Sequence, residues 1–268
     1  MRGPEGETPN RGADRIAAAF ASSGKRAALM PYLMGGFPDV ETSKAIGLAY
    51  ADGGADLVEL GIPFSDQLAD GPVIHDAGTK ALAAGATVDG VLDVCRTLSE
   101  RLPVVIMCYA NLVIVRTPER FAEAIADAGA SGLIVPDLPL EEAPQVQEAC
   151  DARGIALVPL VAPTTPEDRL ARIGERARGF VYTVSVLGTT GERASGDYGA
   201  VVERVKPHTG VPVAIGFGIS TPEQAAAAAD AGADGVIVGT RLVRAAAESD
   251  DPAGAVRDVV AAMSAALG

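Results

Sequence analysis

The sequence predicts a (β/α)8 barrel of the TIM type, and two observations support this prediction. Short apolar segments alternate with Ala-rich amphipathic segments along the whole chain, and the apolar segments are continuous, without interleaved polar residues. Continuous apolar runs are typical of parallel strands that are buried on both faces. Eight such segments in succession, with helical segments between them, indicate a closed parallel barrel.

The predicted elements define a single domain at residues 15–268. A helix at 15–22 precedes the first strand, and we expect it to cover the bottom of the barrel. Residues 1–14 are polar and contain several Gly and Pro, so we expect a flexible tail there. The strands are predicted at 28–33, 57–60, 104–108, 132–135, 155–160, 180–184, 213–215 and 235–238, and helices at 40–52, 88–101, 118–128, 141–153, 166–176 and 222–231.

Repeated glycines and Thr-Pro pairs mark the predicted helix ends. The pattern Asp-x-Gly-Ala occurs at 52–55, 127–130 and 230–233, where it predicts a helix end followed by a buried strand. Thr-Pro predicts a helix start, with Thr as the N-cap, at 117–118, 165–166 and 221–222. An open, doubly wound sheet is the alternative fold, but no Gly-x-Gly-x-x-Gly motif follows the first strand.

Composition excludes several classes of function. The chain has 268 residues and a net charge of −13, which argues against nucleic acid and anionic membrane surfaces as partners. No apolar segment resembles a signal peptide or approaches the length of a membrane span. Cys95, Cys108 and Cys150 are widely spaced, as expected of reduced thiols in a cytoplasmic protein.

The loops after the last strands predict a phosphate site. Gly216-Phe217-Gly218 follows the seventh predicted strand, and Gly239-Thr240 follows the eighth. Glycines let backbone N–H groups approach an anion, and these loops are a usual phosphate site in such barrels. Gly191, after the sixth strand, would close the third side. The alternative is that these glycines only form tight turns between strand and helix.

Carboxylates are the candidate catalysts. The lysines lie outside the predicted strands, and neither histidine belongs to a ligand cluster, which argues against imine and metal chemistry. Glu59 ends a short apolar strand, where a carboxylate costs free energy unless it is paired or used. Asp70 follows eleven residues later in a turn-rich loop. The alternative role of Glu59 is to close a buried polar network, and that of Asp70 is to form a turn or to cap a helix. The same alternative applies more strongly to Asp66.

Further polar residues lie near predicted strand ends. Tyr182 lies in the sixth strand and either packs there or seeks a polar partner. Tyr109 and Asn111 follow the third strand and either form a turn or line the pocket. Asp137 either caps the next helix or faces the pocket loops.

Taken in order, these motifs resemble the tryptophan synthase alpha subunit family. The most specific match is Glu-Leu-Gly-Ile-Pro-Phe-Ser-Asp-x-Leu-Ala-Asp-Gly-Pro at 59–72. The supporting matches are Met-x-Tyr-Ala-Asn at 107–111, Pro-Asp-Leu-Pro at 136–139, Thr190-Gly191, Gly-Phe-Gly-Ile-Ser at 216–220 and Gly239-Thr240. The resemblance covers about residues 27–243.

The resemblance implies a reaction and residue roles. This family cleaves indole-3-glycerol phosphate to indole and glyceraldehyde 3-phosphate by a retro-aldol step without a cofactor. Glu59 would then be the general acid/base, and Asp70 would accept the indole N–H and stabilise positive charge on the ring. The substrate-binding residues implied are Tyr182, Tyr109, Thr190, Gly191, Phe217, Gly218, Gly239 and Thr240, with no metal.

The resemblance also implies a partner, a tryptophan synthase beta subunit that carries pyridoxal phosphate, in an alpha2beta2 heterotetramer. The acidic, Pro-containing loop at 62–72 would be part of that contact. Position 67 is Gln where the family usually has Pro, and Met34 stands where Thr is usual. The other departures are His75 for Gln, Thr189 for Val and Thr240 for Ser.

Three rival functions share parts of this pattern. A stand-alone indole-3-glycerol-phosphate lyase would share every catalytic residue and would be active without a partner. Another phosphosugar barrel, such as an isomerase, would need a different acid/base pair, for example one that uses Asp137. A catalytically idle barrel would only activate a beta subunit.

Overall fold

A computed structural model of the chain, which describes residues 11–184, 198–216 and 218–268, contains one parallel sheet. The strands are β1 (Ala28–Met34), β2 (Val58–Gly61), β3 (Val104–Met107), β4 (Gly132–Ile134), β5 (Ala156–Val158), β6 (Leu160–Val161), β7 (Val181–Val184), β8 (Val213–Gly216) and β9 (Gly235–Val238). The helices are α1 (Arg11–Ser22), α2 (Val40–Asp52), α3 (Pro72–Ala83), α4 (Val88–Ser99), α5 (Ala110–Arg116), α6 (Pro118–Asp127), α7 (Ala143–Ala152), α8 (Glu167–Arg176), α9 (Tyr198–Val205), α10 (Pro222–Asp230), α11 (Thr240–Ala247) and α12 (Pro252–Leu267).

The sheet confirms the predicted barrel, with one strand broken. The strand order is β5-β4-β3-β2-β1-β9-β8-β7-β6, and β5 and β6 are separated only by Pro159. Proline has no N–H to donate to a ladder, so it interrupts the single strand predicted at 155–160. The Pro159 carbonyl still accepts the N–H of Tyr182 at 3.0 Å. Taken as one broken strand, β5 and β6 close an eight-stranded barrel.

The helix ends predicted at the glycines of the Asp-x-Gly-Ala pattern are confirmed. Gly54, Gly129 and Gly232 follow the ends of α2, α6 and α10 with φ of +92°, +82° and +90°. Glycine adopts this left-handed conformation without a Cβ clash, so each helix ends where the next strand must begin.

The Thr-Pro prediction holds at one pair and fails in part at the others. Thr221 accepts the N–H of Gln224 and forms a capping box with it. Thr117 occupies the N-cap position of α6, but its side chain makes no capping bond. Thr165 is not an N-cap, because α8 begins one residue later with Pro166 as its cap; its hydroxyl instead accepts the N–H of Ala162.

Helix α1 covers the bottom of the barrel, as predicted, but begins at Arg11 instead of residue 15. Residues 11–14, which we expected to belong to the tail, are therefore helical, and residues 1–10 lie outside the described part of the chain. The Gly12 N–H donates to the Gly154 carbonyl at 2.8 Å. Ile16 is fully buried among the interior side chains of the strands.

The three cysteines are buried free thiols. Among the described helices, none is long and apolar enough to cross a membrane.

We expect Gly12→Ala to lower the free energy of unfolding by about 1–3 kcal/mol, the usual cost of overpacking. A Cβ at this position would lie 2.0 Å from the Ser131 carbonyl oxygen, so α1 would have to move away from the barrel. Urea unfolding measures the change. Gly210→Ala is the control, because a Cβ there meets nothing within 4 Å. Equal stabilities of the two variants would contradict the close packing of α1.

Candidate active site

Glu59 lies inside the barrel near the C-terminal end of β2. It follows Leu57, an interior core residue, by two positions, and it is in register with Tyr32 of β1 and Val105 of β3. Alternate residues of a strand share one face, so Glu59 continues the interior layer. Only 1% of its surface is exposed, and its Oε2 has no hydrogen-bond partner among the described residues.

This enclosure changes the protonation of Glu59. Burial, together with the nearby Asp70 carboxylate, raises the pKa of Glu59 to about 8. Burial acts because a low-dielectric surrounding disfavours the charged form, and Asp70 acts because a second negative charge does the same. The Glu59 carboxyl group is therefore mainly neutral at pH 7 and has a proton to donate.

Asp70 lies at the end of the loop that joins β2 to α3. Its Oδ2 accepts a hydrogen bond from the Tyr109 hydroxyl at 2.9 Å, and that hydroxyl also accepts the Ala69 N–H at 3.0 Å. The pKa of Asp70 is raised from its usual value, because burial raises it more than the Tyr109 bond and the charge of His75 lower it. Among the described residues no such bond reaches Oε2 of Glu59, so the two carboxyl groups have different surroundings.

Two tyrosines lie close enough to feel the charges of both carboxyl groups, one on β1, next to β2, and one on β7. Tyr182 of β7 and Tyr32 of β1 are both buried, and burial and the charges of Glu59 and Asp70 raise the pKa of each well above its usual value. Sequence reasoning missed Tyr32, because only the register of β1 with β2 places it level with Glu59.

Two glycines make room for these hydroxyl groups. A Cβ at Gly61 would lie 2.2 Å from the Tyr32 hydroxyl oxygen, and a Cβ at Gly216 would lie 2.4 Å from that of Tyr182. Each glycine belongs to the strand next to its tyrosine, β2 beside β1 and β8 beside β7. The absence of a side chain at these two positions therefore leaves the space that the tyrosine hydroxyl groups occupy.

The predicted phosphate loops lie side by side, since β8 and β9 are paired. Gly218 has a φ of +85°, and Gly239 is the N-cap of α11, with Thr240 as the first helical residue. The N-terminus of α10 is capped by its own Thr221–Gln224 box, whereas Gly239 makes no side-chain cap. Among the described residues, the N–H groups of Thr240 and Arg241 are thus left for another acceptor, while that of Leu242 donates to the Gly239 carbonyl. Thr190, Gly191 and Phe217 lie outside the described residues.

Other candidates from the sequence have structural roles. Asp137 is exposed and caps α5 by accepting the Ala110 N–H at 2.8 Å, so it serves the preceding helix instead of the next one. Asn111 is exposed on α5, while Tyr109 is its N-cap and faces Asp70. Asp66 is exposed and accepts the Ser65 hydroxyl.

The four lysines and His208 are paired with carboxylates other than Glu59 and Asp70. Each lysine forms an ion pair: Lys25 with Asp56, Lys44 with Glu41 and Asp93, Lys80 with Asp76, and Lys206 with Asp234. His208 bonds Glu167, and His75 is exposed on α3. Within the ranges that the structure describes, no group of three or more His, Cys, Asp or Glu is arranged to hold a metal ion.

Comparison with known proteins identifies the family that this barrel resembles. Residues 19–266 match the family model described as "Tryptophan synthase alpha chain". A tryptophan synthase alpha chain of Prochlorococcus marinus (strain MIT 9313) is 50% identical over 82% of this chain and 81% of its own length. One from Methanosarcina mazei is 48% identical, over 85% and 84% respectively.

Solved structures agree. A Mycobacterium tuberculosis tryptophan synthase chain is 37% identical and superimposes with a TM-score of 0.88, covering 94% of this chain and 98% of that one. A tryptophan synthase alpha chain from Legionella pneumophila is 33% identical, with a TM-score of 0.86 and coverages of 96% and 97%.

We expect Glu59→Gln to stabilise the fold increasingly as pH rises. The folded-state pKa of Glu59 is raised, so between the unfolded value and about pH 8 folding must take up a proton, and the wild type loses stability with rising pH. Glutamine does not titrate. The difference in the free energy of unfolding between Glu59→Gln and the wild type should therefore grow by about 1 kcal/mol per pH unit from pH ~5.5 to ~7.5. It should level off above the folded-state pKa of Glu59. Urea unfolding at a series of pH values measures it, and a constant gap would contradict a raised pKa.

Proposed function

The chain belongs to the tryptophan synthase alpha chain family, a family of lyases in tryptophan biosynthesis, and we propose that Glu59 and Asp70 carry its cleavage chemistry. The reaction divides indole-3-glycerol phosphate into indole and glyceraldehyde 3-phosphate. It requires a proton at C3 of the indole ring and the loss of a proton from the side-chain hydroxyl group.

The observation that supports this proposal most strongly is the neutral, enclosed carboxyl group of Glu59. With a pKa of about 8, Glu59 holds its proton at neutral pH without a competing hydrogen-bond partner on Oε2 among the described residues. Glu59 donates this proton to C3, and its carboxylate then takes the hydroxyl proton as the carbon–carbon bond breaks. The proton balance closes, so Glu59 is ready for another cycle and no cofactor is needed in this chain.

Asp70 has the electrostatic role. Protonation at C3 leaves positive charge on the ring nitrogen, and an ionised Asp70 that accepts the indole N–H stabilises that charge. The Tyr109 hydrogen bond favours the ionised form of Asp70 and fixes the carboxylate. The same negative charge keeps Glu59 protonated, so each carboxyl group supports the role of the other.

We assign the phosphate to the loops after β8 and β9. The uncapped N-terminus of α11 and the glycines Gly218 and Gly239 support this placement. Thr240, Gly191 and Phe217 belong to the same proposal, and Thr190 would position the catalytic loop. Tyr182 and Tyr109 would also contact the substrate.

We also propose a beta subunit as partner, with pyridoxal phosphate bound in that subunit, in an alpha2beta2 assembly. Exposed apolar side chains in the segments that follow β2 and β3 support this. Leu68, Ile114 and Val115 are 75%, 61% and 73% exposed, and they follow β2 and β3 beside the proposed site. Exposed apolar patches next to a site are typical of protein interfaces. A cytoplasmic location stays a prediction.

Indole release from indole-3-glycerol phosphate, with and without a tryptophan synthase beta subunit, tests the function directly. We expect slow release by the chain alone and a large increase with the partner. Glu59→Gln should lower kcat by a factor on the order of 10²–10⁴, the usual contribution of a positioned acid/base, while substrate binding persists. Fast release without a partner effect would identify a stand-alone lyase, and no release in either case would contradict the proposal.

Asp70→Asn should lower kcat by a factor on the order of 10²–10³, because a neutral amide does not offset the charge on the ring. It should also lower the pKa of Glu59, since Asp70 contributes to raising it. The pH dependence of kcat measures both effects, with the alkaline limb moving to lower pH. Turnover within twofold of wild type would remove Asp70 from the mechanism.

Gly218→Ala should weaken binding of glycerol phosphate at least tenfold by crowding the phosphate loop. Gly85→Ala is the matched control, since Gly85 has a similar φ of +89° but lies after α3 with open space around it. Both variants carry the strain of a positive φ, so only the difference between them reports on the phosphate. Equal affinities, measured by isothermal titration, would refute the assignment.

A further inference from the structure

Gln67 differs from its loop neighbours in where its side chain lies. Ser65, Asp66 and Leu68 are exposed, whereas the Gln67 amide is packed against α3. Its Nε2 lies 2.1 Å from the point where a Cβ at Gly78 would stand. The Gln67 amide therefore occupies space that exists only because residue 78 has no side chain.

Met34 lies beside the same space. Its Cε lies 3.2 Å from the Gly78 Cβ position, and its sulfur is 3.9 Å from the Tyr32 hydroxyl oxygen. Gln67 and Met34, two departures from the family pattern in separate parts of the sequence, thus meet at one point on α3. The Gln67 Oε1 is buried there without a hydrogen-bond partner among the described residues.

This seat for Gln67, formed by Gly78 and Met34, lies next to the proposed catalytic carboxylate. Asp70 is three residues beyond Gln67, and α3 begins at Pro72, so the loop is short between the seat and Asp70. On the far side, the Tyr109 hydroxyl holds the Ala69 N–H and Asp70 Oδ2. The segment 67–70 is thereby held at both ends.

We propose that Gln67 is a positioning residue. By occupying the seat formed by Gly78 and Met34, its side chain holds the loop in the conformation that places Asp70 for the reaction. This inference rests on the proposed function of Asp70. Without the Gln67 amide in this seat, only the hydrogen bonds to the Tyr109 hydroxyl group hold the loop near Asp70. The Asp70 carboxylate then samples positions away from the reacting ring. Effective positioning contributes to kcat because misplacement of a catalytic group raises the barrier.

A double-mutant cycle on Gln67 and Gly78, which share this seat, tests the proposal. Gln67→Ala empties the seat. Gly78→Ala fills it and displaces the Gln67 amide, which can move because it is the end of a flexible side chain. Each single variant should lower kcat about tenfold while KM changes less than twofold, because the phosphate loops after β8 and β9 are not involved. The double variant should be no slower than the slower single variant, since both changes remove the same contact.

Gly90→Ala is the matched control for a helical glycine, because a Cβ there makes only ordinary contacts at 3.4 and 3.5 Å. Its kcat should stay within twofold of wild type. Hydrogen exchange of the Ala69 amide supplies a readout that does not depend on activity, and it should accelerate at least fivefold in Gln67→Ala and Gly78→Ala but not in Gly90→Ala.

A kcat of Gln67→Ala within twofold of wild type, or rate losses that multiply in the double variant, would overturn the proposal. Unchanged exchange at Ala69 would overturn it as well. If the wild-type chain releases no indole with a beta subunit present, the proposed function has failed, and the exchange of Ala69 still decides whether Gln67 holds the loop.

Discussion

The enclosure of one carboxyl group, Glu59, is the constraint around which the site is organised. A charged carboxylate at this position would lack both water and, on Oε2, a hydrogen-bond partner among the described residues. The neutral form is therefore favoured, and the Asp70 charge favours it further. A surface glutamate would be ionised at neutral pH and would have no proton to give. Burial at a strand end thus changes an ordinary acid into a proton donor suited to lyase chemistry.

The geometry of the barrel supplies this enclosure. Parallel strands that are buried on both faces end together at one rim, so groups from β1, β2 and β7 converge there. Gly61 and Gly216 leave space into which the hydroxyl groups of Tyr32 and Tyr182 fit. The loop after β2 contributes Asp70, and the helix after β3 contributes Tyr109, so the two carboxyl groups are held by different elements with different solvent exposure.

Much of this arrangement was predictable from local patterns. Continuous apolar runs indicated the strands, and Asp-x-Gly-Ala marked three helix ends, because glycine tolerates a positive φ. The break at Pro159 was missed, since the prediction was a single strand at 155–160, although proline has no N–H for a ladder. Tyr32 was missed because a tyrosine in an apolar strand does not differ from a packing residue until register places it beside Glu59. The meeting of Gln67, Met34 and Gly78 depends on long-range packing, which no local pattern encodes.

A direct titration of Glu59 tests the central claim, that burial and Asp70 keep this carboxyl group protonated at neutral pH. Carboxyl carbon NMR of chain labelled with ¹³C at glutamate, with Glu59→Gln used to assign the signal, gives its midpoint. We predict a midpoint near pH 8 for Glu59. A midpoint between about 4 and 5, the range of an unperturbed glutamate, would show that the group is ionised at neutral pH and would contradict this account of the site.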